Sequence, residues 1–133
     1  MQMILAIDPG KCKFGYAVLT NEKKVLRQGT ADVRDLSSIV TRMVARFDVK
    51  TVVIGDRTGG NQFYAALKPV LLAPGLSLAL VEEDGSSREG RERFLKANRK
   101  GWRRLVPLGL QTPWRAYDDY VAVILGERYL DRQ

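Results

Sequence analysis

The sequence predicts an α/β fold in which three antiparallel strands are followed by helices that alternate with two further strands. Two observations support this prediction. Three short apolar or alternating runs, separated by turns, open the chain, and beyond them β-branched runs alternate with segments whose apolar residues recur at the helical period. At 133 residues the chain has the length of one domain, so we expect a single domain over 1–133.

The first three strands are predicted over 3–7, 14–19 and 25–31. The first is apolar on both faces, which is typical of a strand in the centre of a sheet. Short turns, Pro9-Gly10-Lys11 and 21–24, separate the three strands, and an antiparallel meander is therefore expected.

The elements beyond the meander are predicted from their periodicity and from the residues at their ends. In chain order they are a helix over 35–47, a strand over 51–55, a helix over 61–72, a strand over 76–82, a basic helix from residue 86, a basic connector over 98–111 and a last helix over 113–130. Pro69 should bend or shorten the second helix. Ser86 and Glu89 are spaced as a capping box, and Thr112 followed by Pro113 is typical of a helix start.

The chain contains no histidine and one cysteine, Cys12, which excludes several kinds of chemistry. Ser-His-Asp and Cys-His relays, imidazole-bound metals, zinc sites with several thiolates and a disulfide framework are ruled out, and a reducing cytoplasm is the expected location. Any reaction must therefore use carboxylates, lysines, hydroxyls or a metal that carboxylates hold. The longest uncharged run, 69–81, is too short to cross a bilayer and no signal-peptide pattern is present, so no membrane association is expected.

The net charge of +7 is concentrated in one stretch of the sequence. Between 88 and 104 there are eight basic residues and two acids, a net charge of +6, which leaves +1 for the rest of the chain. The eight are Arg88, Arg91, Arg93, Lys96, Arg99, Lys100, Arg103 and Arg104. Such a stretch favours nucleic acid as a partner, because neutralised phosphates release counterions. The alternative is a solvated helix in which Glu89 pairs with Arg93 and Glu92 with Lys96.

Two aspartates stand where an ionised carboxylate is costly. Asp8 ends the first strand, and Asp118 lies in the middle of the apolar stripe of the last helix, within about 60° of each of its apolar members at the helical period. Its neighbour Asp119 lies about 100° further round and is expected at the solvated rim. Asp118 should therefore face the sheet and require compensation there.

Further acids follow the later strands, namely Asp56 after the fourth and Glu82-Glu83 after the fifth. If the sheet is parallel beyond the meander, these strand ends lie on the same edge as Asp8, where ligands of such sheets gather. Several carboxylates without a histidine predict a hard-cation site suited to Mg²⁺ or Mn²⁺. The alternative is that each acid forms a turn or a cap, which would explain Asp8 alone but not an acid on an apolar helix face.

Three segments resemble a known family. ILAIDPGKCKFGYAVL over 4–19 resembles the opening hairpin of the ribonuclease H-like resolvases, in which a strand ending in Asp-x-Gly precedes a basic turn and a second strand. LVEEDGSSRE over 80–89 is similar to the strand, acidic residue and Ser/Thr-rich helix start of the YqgF/RuvX branch of that superfamily. DDYVAVILGERYL over 118–130 resembles its closing helix. The three segments occur in the family's order and span nearly the whole chain.

The resemblance implies a ribonuclease H-like fold, with a five-stranded mixed sheet flanked by helices, and a catalytic triad of Asp8, Glu83 and Asp118. Members of the branch are described as pre-16S ribosomal RNA nucleases or Holliday junction resolvase-like nucleases that use divalent metal. The sequence departs from the pattern at Asp56, where the branch has an apolar-proline stretch; Asp56 is either a fourth ligand, as in the related RuvC resolvases, or a turn residue, which we favour. Only one of Glu82 and Glu83 can point into the site, because strand side chains alternate.

On this resemblance, two Mg²⁺ or Mn²⁺ ions bridged by Asp8 would activate a water and stabilise the leaving 3′-oxygen, with Asp56, Glu82 and Asp119 as further candidate ligands. Lys11 and Lys13 would hold phosphates of the scissile strand, and the basic helix and connector would bind the substrate backbone. Trp102 is the better candidate to stack on an unpaired base, whereas Trp114 is expected in the core. The expected partner is RNA or branched DNA, and the protein is either a monomer or a homodimer.

Two other classes of protein stay open. Asp-x-Gly on a first hairpin also opens the actin and sugar-kinase ATPases, although those proteins need two such domains and this chain is half their length or less. A nucleic-acid-binding module with an inactive site would share the basic stretch and would not need the three acids.

Overall fold

A five-stranded mixed sheet forms the centre of the protein in a computed structural model, which describes residues 2–56, 59–71, 75–98 and 117–132. The strands are β1 (Met3–Asp8), β2 (Lys13–Thr20), β3 (Val25–Asp32), β4 (Val49–Gly55) and β5 (Ser77–Val81), and their order in the sheet is β3-β2-β1-β4-β5. The first three strands pair antiparallel, whereas β4 pairs parallel to β1 and β5 parallel to β4. The predicted meander and the predicted parallel strands are both confirmed.

The described residues form four α-helices. They are α1 (Leu36–Phe47), α2 (Gly60–Leu67), α3 (Ser86–Ala97) and α4 (Asp118–Asp131), and a short 3₁₀ turn, Val33–Asp35, precedes α1. Helix α3 packs on α4. Leu5 and Ile7 of β1 pack in one apolar cluster with residues of α1 and α2, whereas Ile4 and Ala6 pack in a second cluster with α4. Alternation along the central strand therefore separates two cores, one on each face of the sheet.

Small residues let α4 lie close to both the sheet and α3. A Cβ atom on Gly126 would lie 2.7 Å from Leu19 Cδ1 of β2, and one on Gly90 of α3 would lie 2.5 Å from Val121 Cγ2. Distances this short would force the neighbouring atoms apart. Residues 121–126 of α4 are accordingly all buried, since one side of the helix meets the sheet and another meets α3.

Three helix ends differ from the sequence predictions. The second helix ends at Leu67 rather than Leu72, followed by a turn that contains Pro69, because proline cannot continue the hydrogen-bond ladder. The capping box at Ser86 is wrong. Gly85, with a φ of +75°, is the residue before α3, no side chain caps the helix, and the Ser86 amide donates to the Glu83 carbonyl over 2.8 Å. The last helix begins at Asp118, after a non-helical Tyr117, rather than at Pro113. Thr112, Pro113 and most of the connector lie outside the described residues.

None of the described helices has the length and apolar character needed to cross a bilayer.

Candidate active site at the carboxyl edge of the sheet

Side-chain alternation places Asp8 on the same face of the sheet as α4. Ile4 and Ala6 point into the α4 core, and Asp8 continues that series at the end of β1. Val81 of β5 belongs to the same core, so two residues further on Glu83 falls on the same side. Because β1, β4 and β5 run parallel, their carboxyl ends lie along one edge. The sheet thus brings Asp8 and Glu83 to one place.

Two glycines in the strands leave room for the other site residues. Gly15 of β2 pairs directly with Asp8, and a Cβ atom at Gly15 would lie 2.0 Å from the Asp118 carbonyl oxygen. At the end of β4, a Cβ atom on Gly55 would lie 2.3 Å from the Glu83 Cδ atom. Gly15 therefore lets the first turn of α4 rest on the sheet, and Gly55 lets the Glu83 carboxyl group fold over β4. Sequence reasoning missed both, although a glycine inside a strand often marks such a close approach.

Asp8, Glu83 and Asp118 interact with one another. Asp8 is 9 % exposed and Glu83 is 7 % exposed. Burial, together with side-chain hydrogen bonds to Glu83 and Asp118 and the negative charges of these two acids, raises the pKa of Asp8 from 3.8 to about 9. The pKa of Asp118 is also raised, chiefly by burial, while its hydrogen bond with Asp8 and the charge of Lys13 oppose that shift. Asp8 is the central member of this acidic cluster.

Asp119 is not at a solvated rim, and that prediction is wrong. It is 4 % exposed, and its Oδ2 accepts a hydrogen bond of 2.9 Å from Nε2 of Gln28 in β3. The helical projection considered one packing surface, whereas α4 packs on β1, β2 and β3 as well as on α3. Asp119 therefore lies beside the cluster, where its charge raises the pKa of Asp118. Gln28 was not singled out in the sequence, and only the strand pairing shows its position.

Asp56 and Glu82 lie at the margin of the cluster, and both are exposed. The Asp56 Oδ1 atom accepts a hydrogen bond of 3.2 Å from the Glu83 amide, and its own amide donates to the Val81 carbonyl over 2.9 Å. Asp56 thus fixes the backbone that carries Glu83. Glu82 points away to Arg132, the residue after α4, with 3.4 Å between its Oε2 and an arginine Nη2 atom.

Comparisons with known proteins give similarities of fold. No family model matches the chain, and no curated protein sequence matches it. Among solved structures it is similar to the Fowlpox virus resolvase in complex with Holliday junction DNA, at 13% identity over 98% of each chain and a TM-score of 0.66. It is also similar to Thermus thermophilus RuvC in complex with a Holliday junction substrate, at 15% identity, over 94% of this chain and 90% of that chain, with a TM-score of 0.58.

A third similar structure is the nuclease domain of the large terminase subunit gp2 of bacterial virus Sf6, solved with manganese. The identity is 14%, the match covers 62% of this chain and 38% of that chain, and the TM-score is 0.51. Together with the observed strand order, these similarities decide the fold class. The chain has the ribonuclease H-like fold. The predicted fold is therefore confirmed, and the acidic cluster lies at the carboxyl edge of its sheet.

Basic residues flank this edge of the ribonuclease H-like sheet. Lys11 and Lys13, in and after the turn that follows Asp8, are both exposed. On α3, Arg88 and Lys96 are exposed and Arg91 is half-buried. The other predicted nucleic-acid-binding residues, Arg99, Lys100, Trp102, Arg103 and Arg104, lie outside the described residues, as does Trp114.

The ion pairs of α3 differ from those expected for a solvated helix. Arg93 makes two hydrogen bonds, of 2.8 and 2.6 Å, to the carboxylate of Glu127 in α4. Glu89 accepts from Arg128 of α4 over 2.8 Å, so the predicted pair of Glu89 with Arg93 is wrong. These contacts join α3 to α4. The exposed Arg88 is within 3.7 Å of Glu92, a separation at which an exposed pair contributes little.

The acidic cluster is suited to a hard cation by its chemistry but is not closed around one. Carboxylate oxygens are the donors that Mg²⁺ and Mn²⁺ prefer. Within the described ranges, no three acidic or thiol side chains are grouped closely enough to enclose a metal ion as they stand. Asp8 is instead hydrogen-bonded to Glu83 and Asp118. Hydrogen bonds between carboxyl groups are expected when one of the groups is protonated, because the proton reduces the repulsion between their negative charges.

Proposed function

We propose that the protein is a metal-dependent nuclease that hydrolyses phosphodiester bonds in structured nucleic acid, with Asp8, Glu83 and Asp118 as its catalytic residues. The observation that carries this proposal is the buried Asp8, held between two further acids at the carboxyl edge of a ribonuclease H-like sheet. Burial, together with the hydrogen bonds and negative charges of Glu83 and Asp118, raises the pKa of Asp8 to about 9, so the ionised form of Asp8 is disfavoured until a positive charge compensates it. A divalent cation is a partner that the oxygen donors of these side chains would bind.

Binding of Mg²⁺ or Mn²⁺ would need the site carboxylates in their ionised form, so it would compete with their protonation. Asp8, Glu83 and Asp118 would hold the metal, and small rotations of their side chains would be needed, since they do not yet enclose one. When bound, such ions lower the pKa of a water and stabilise charge on the oxygens of a phosphodiester. The expected two-metal site, bridged by Asp8, is part of this proposal. Asp56 supports the Glu83 backbone, and we assign it no ligand role.

The basic residues would bind and orient the substrate. Lys11 and Lys13 flank the acids, so their ammonium groups would hold phosphates next to the cleaved bond. Arg88, Arg91 and Lys96 of α3, with the basic residues of 99–104, would extend the contact along the backbone.

For the substrate we propose pre-16S ribosomal RNA or a four-way DNA junction, following the resemblance to the YqgF/RuvX branch. The Fowlpox virus resolvase and RuvC, which share the fold, were solved with Holliday junction DNA. Both substrates present the same phosphodiester to the acids, so electrostatics does not distinguish them. A nuclease of either kind would act in the cytoplasm, as a monomer on RNA or as a homodimer that cuts a two-fold symmetric junction.

The test is a cleavage panel read at single-nucleotide resolution. Structured RNA and a four-way DNA junction are incubated with Mg²⁺ or Mn²⁺ and with either the wild type or Asp8→Asn. We expect metal-dependent cleavage of at least one substrate, and a loss of about 10³-fold or more in Asp8→Asn, because its neutral amide no longer bridges the ions. If the wild type and Asp8→Asn cleave each substrate equally, the acids do not catalyse hydrolysis.

A second candidate is a nucleic-acid-binding module of the same fold without catalysis. The observation that favours it is that the acids of the described residues, as they stand, are not grouped closely enough to hold a metal ion. This candidate predicts tight, metal-independent binding by the wild type and by Asp8→Asn alike, with no cleavage in either metal. The same panel, run with a gel-shift measurement, separates the two candidates.

A further inference from the structure

A groove of about 330 Å³ opens at the same edge of the sheet but on the other side of the turn that follows Asp8. Its walls come from that turn, from the 3₁₀ turn after β3 and from the start of α2. The lining residues are Gly10, Lys11, Val33, Gly59, Gln62 and Phe63. None of these residues belongs to the acidic cluster, and Lys11 is the one candidate phosphate-binding residue among them.

The framework around the groove is held by specific contacts. The Val33 amide donates to the Cys12 carbonyl over 2.9 Å, which ties the 3₁₀ turn to the turn after Asp8. Phe63 is 5 % exposed and its ring meets that of Phe14 edge-on at 6.1 Å, so the base of the groove is fixed by the core. Gly59 has a φ of +86°, a conformation that residues with side chains rarely adopt, and as a glycine it has no side chain to cover its backbone.

The lining offers three kinds of contact in one small space. Lys11 provides a cation, Gln62 an exposed amide that can both donate and accept, and Val33 with Phe63 an apolar wall. The volume is near the lower limit for pockets that hold small organic ligands, so the groove can take one small planar group and not a duplex. A nucleotide offers a partner for each of these contacts, since its phosphate is an anion, the edge of its base forms hydrogen bonds and the face of its base is flat and apolar.

The position of the groove relative to the acids gives this combination a role. Gly10 and Lys11 lie two and three residues after Asp8 in the chain, and the turn they form separates the groove from the acidic cluster. A nucleic-acid strand that crosses the edge of the sheet with one phosphodiester at Asp8 would therefore bring an adjacent nucleotide over this turn.

We propose that the groove is a subsite for one unpaired nucleotide next to the cleaved bond, with Lys11 on its phosphate, Gln62 on the edge of its base and Val33 with Phe63 against the ring. The proposal rests on the proposed nuclease function and deepens it. An unpaired nucleotide can come from single-stranded RNA or from the branch point of a DNA junction, and the chemistry of the subsite is the same for both.

The experiment moves an abasic nucleotide one position at a time past the cleaved bond, in an RNA series and in a junction series, with Mn²⁺ present. We expect one position beside the bond at which loss of the base slows wild-type cleavage about tenfold, with little effect elsewhere. The series that shows this position identifies the source of the nucleotide. Normal cleavage with a flat scan in both series would overturn the subsite and leave the nuclease function standing.

Matched variants on α2 test the base contact. Gln62→Ala should reduce the rate differences among the four bases at that position at least about threefold, because the groove loses its hydrogen-bonding side chain. Asn61→Ala is the control, since Asn61 is an exposed neighbour that does not line the groove. Equal base preferences in Gln62→Ala and Asn61→Ala would contradict the assignment of Gln62.

Binding to the inactive protein distinguishes failure of the subsite from failure of catalysis. A fluorescent base, 2-aminopurine, is placed at each position of substrates bound to Asp8→Asn. A fluorescence change confined to one position, and reduced when Gln62→Ala is added, supports the subsite even if the wild type cuts neither substrate. Bound substrate without any position-specific change would overturn it.

Discussion

The two faces of the sheet are built from different residues, and the difference shows how the acidic cluster forms. The face that meets α1 and α2 buries large side chains such as Leu5, Ile7 and Phe14. The face that meets α4 carries the small residues Ala6 and Ala17. It also has glycines at the two positions where the α4 backbone and the Glu83 carboxyl group come closest to the strands. Large side chains keep α1 and α2 at a distance and supply apolar burial. Small ones let α4 come close enough to place Asp118 beside Asp8.

This contrast predicts that equal losses of stability on the two faces have unequal effects on activity. Gly15→Ala puts a methyl group where the Asp118 carbonyl lies, so α4 must move outward. We expect a cost of about 1–3 kcal/mol in the free energy of unfolding and a loss of about 10²-fold in cleavage rate, since the site acids are displaced. Denaturant unfolding and the cleavage assay measure the two effects.

Ile7→Val on the opposite face is the matched control for Gly15→Ala. It removes one buried methylene near α1 and α2 and should cost about 0.5–1.5 kcal/mol, with the cleavage rate within about twofold of wild type. If Ile7→Val lowers the rate as much as Gly15→Ala does, activity follows global stability and the α4 face has no special role.

A smaller effect is expected from the contact between β3 and α4. Gln28→Leu removes a donor from the buried Asp119, which should cost about 1–3 kcal/mol and lower the cleavage rate about tenfold by loosening the first turn of α4. Thr30→Val, two residues further along β3 and exposed, is the control and should change neither quantity appreciably. The contact has no positioning role if Gln28→Leu unfolds more easily but cleaves at the wild-type rate.

The last prediction is a pH dependence of stability in the metal-free protein. Burial and the acidic neighbours Glu83 and Asp118 together raise the pKa of Asp8 to about 9 in the folded state, whereas its ordinary value is 3.8. Between these values the folded chain holds a proton that the unfolded chain has released, so the free energy of unfolding should fall as the pH rises. The slope contributed by one group is at most about 1.4 kcal/mol per pH unit.

Thermal unfolding in EDTA measures this dependence. Asp8→Asn cannot release the proton and should show a flatter profile than the wild type through the same pH window. Parallel profiles for the two proteins would mean that the pKa of the Asp8 carboxyl group is not raised in the folded protein.

The fold and the two central aspartates could be predicted from the sequence, because hydrophobic period and turn residues are local signals. Asp119 could not be placed, since a helical projection assumes one packing surface and α4 has two. Gly15 and Gln28 depend on which residues pair across strands, and that register is set by the whole sheet. The first residue of α3 was predicted correctly but its cap was not, because a Gly85 turn, tied by the Ser86 amide to the Glu83 carbonyl, precedes the helix and no side chain caps it.

The most direct test of the acidic cluster is a calorimetric titration of the protein with Mn²⁺, in buffers of different ionisation enthalpy, at about pH 6 and about pH 7.5. The wild type is expected to bind the ion, to release protons as it does so and to bind up to about tenfold more tightly per pH unit for each proton released. Asp8→Asn should bind at least about tenfold more weakly and release fewer protons. Binding that is absent in the wild type, or that is equal in the two proteins and independent of pH, would contradict a metal site built on Asp8.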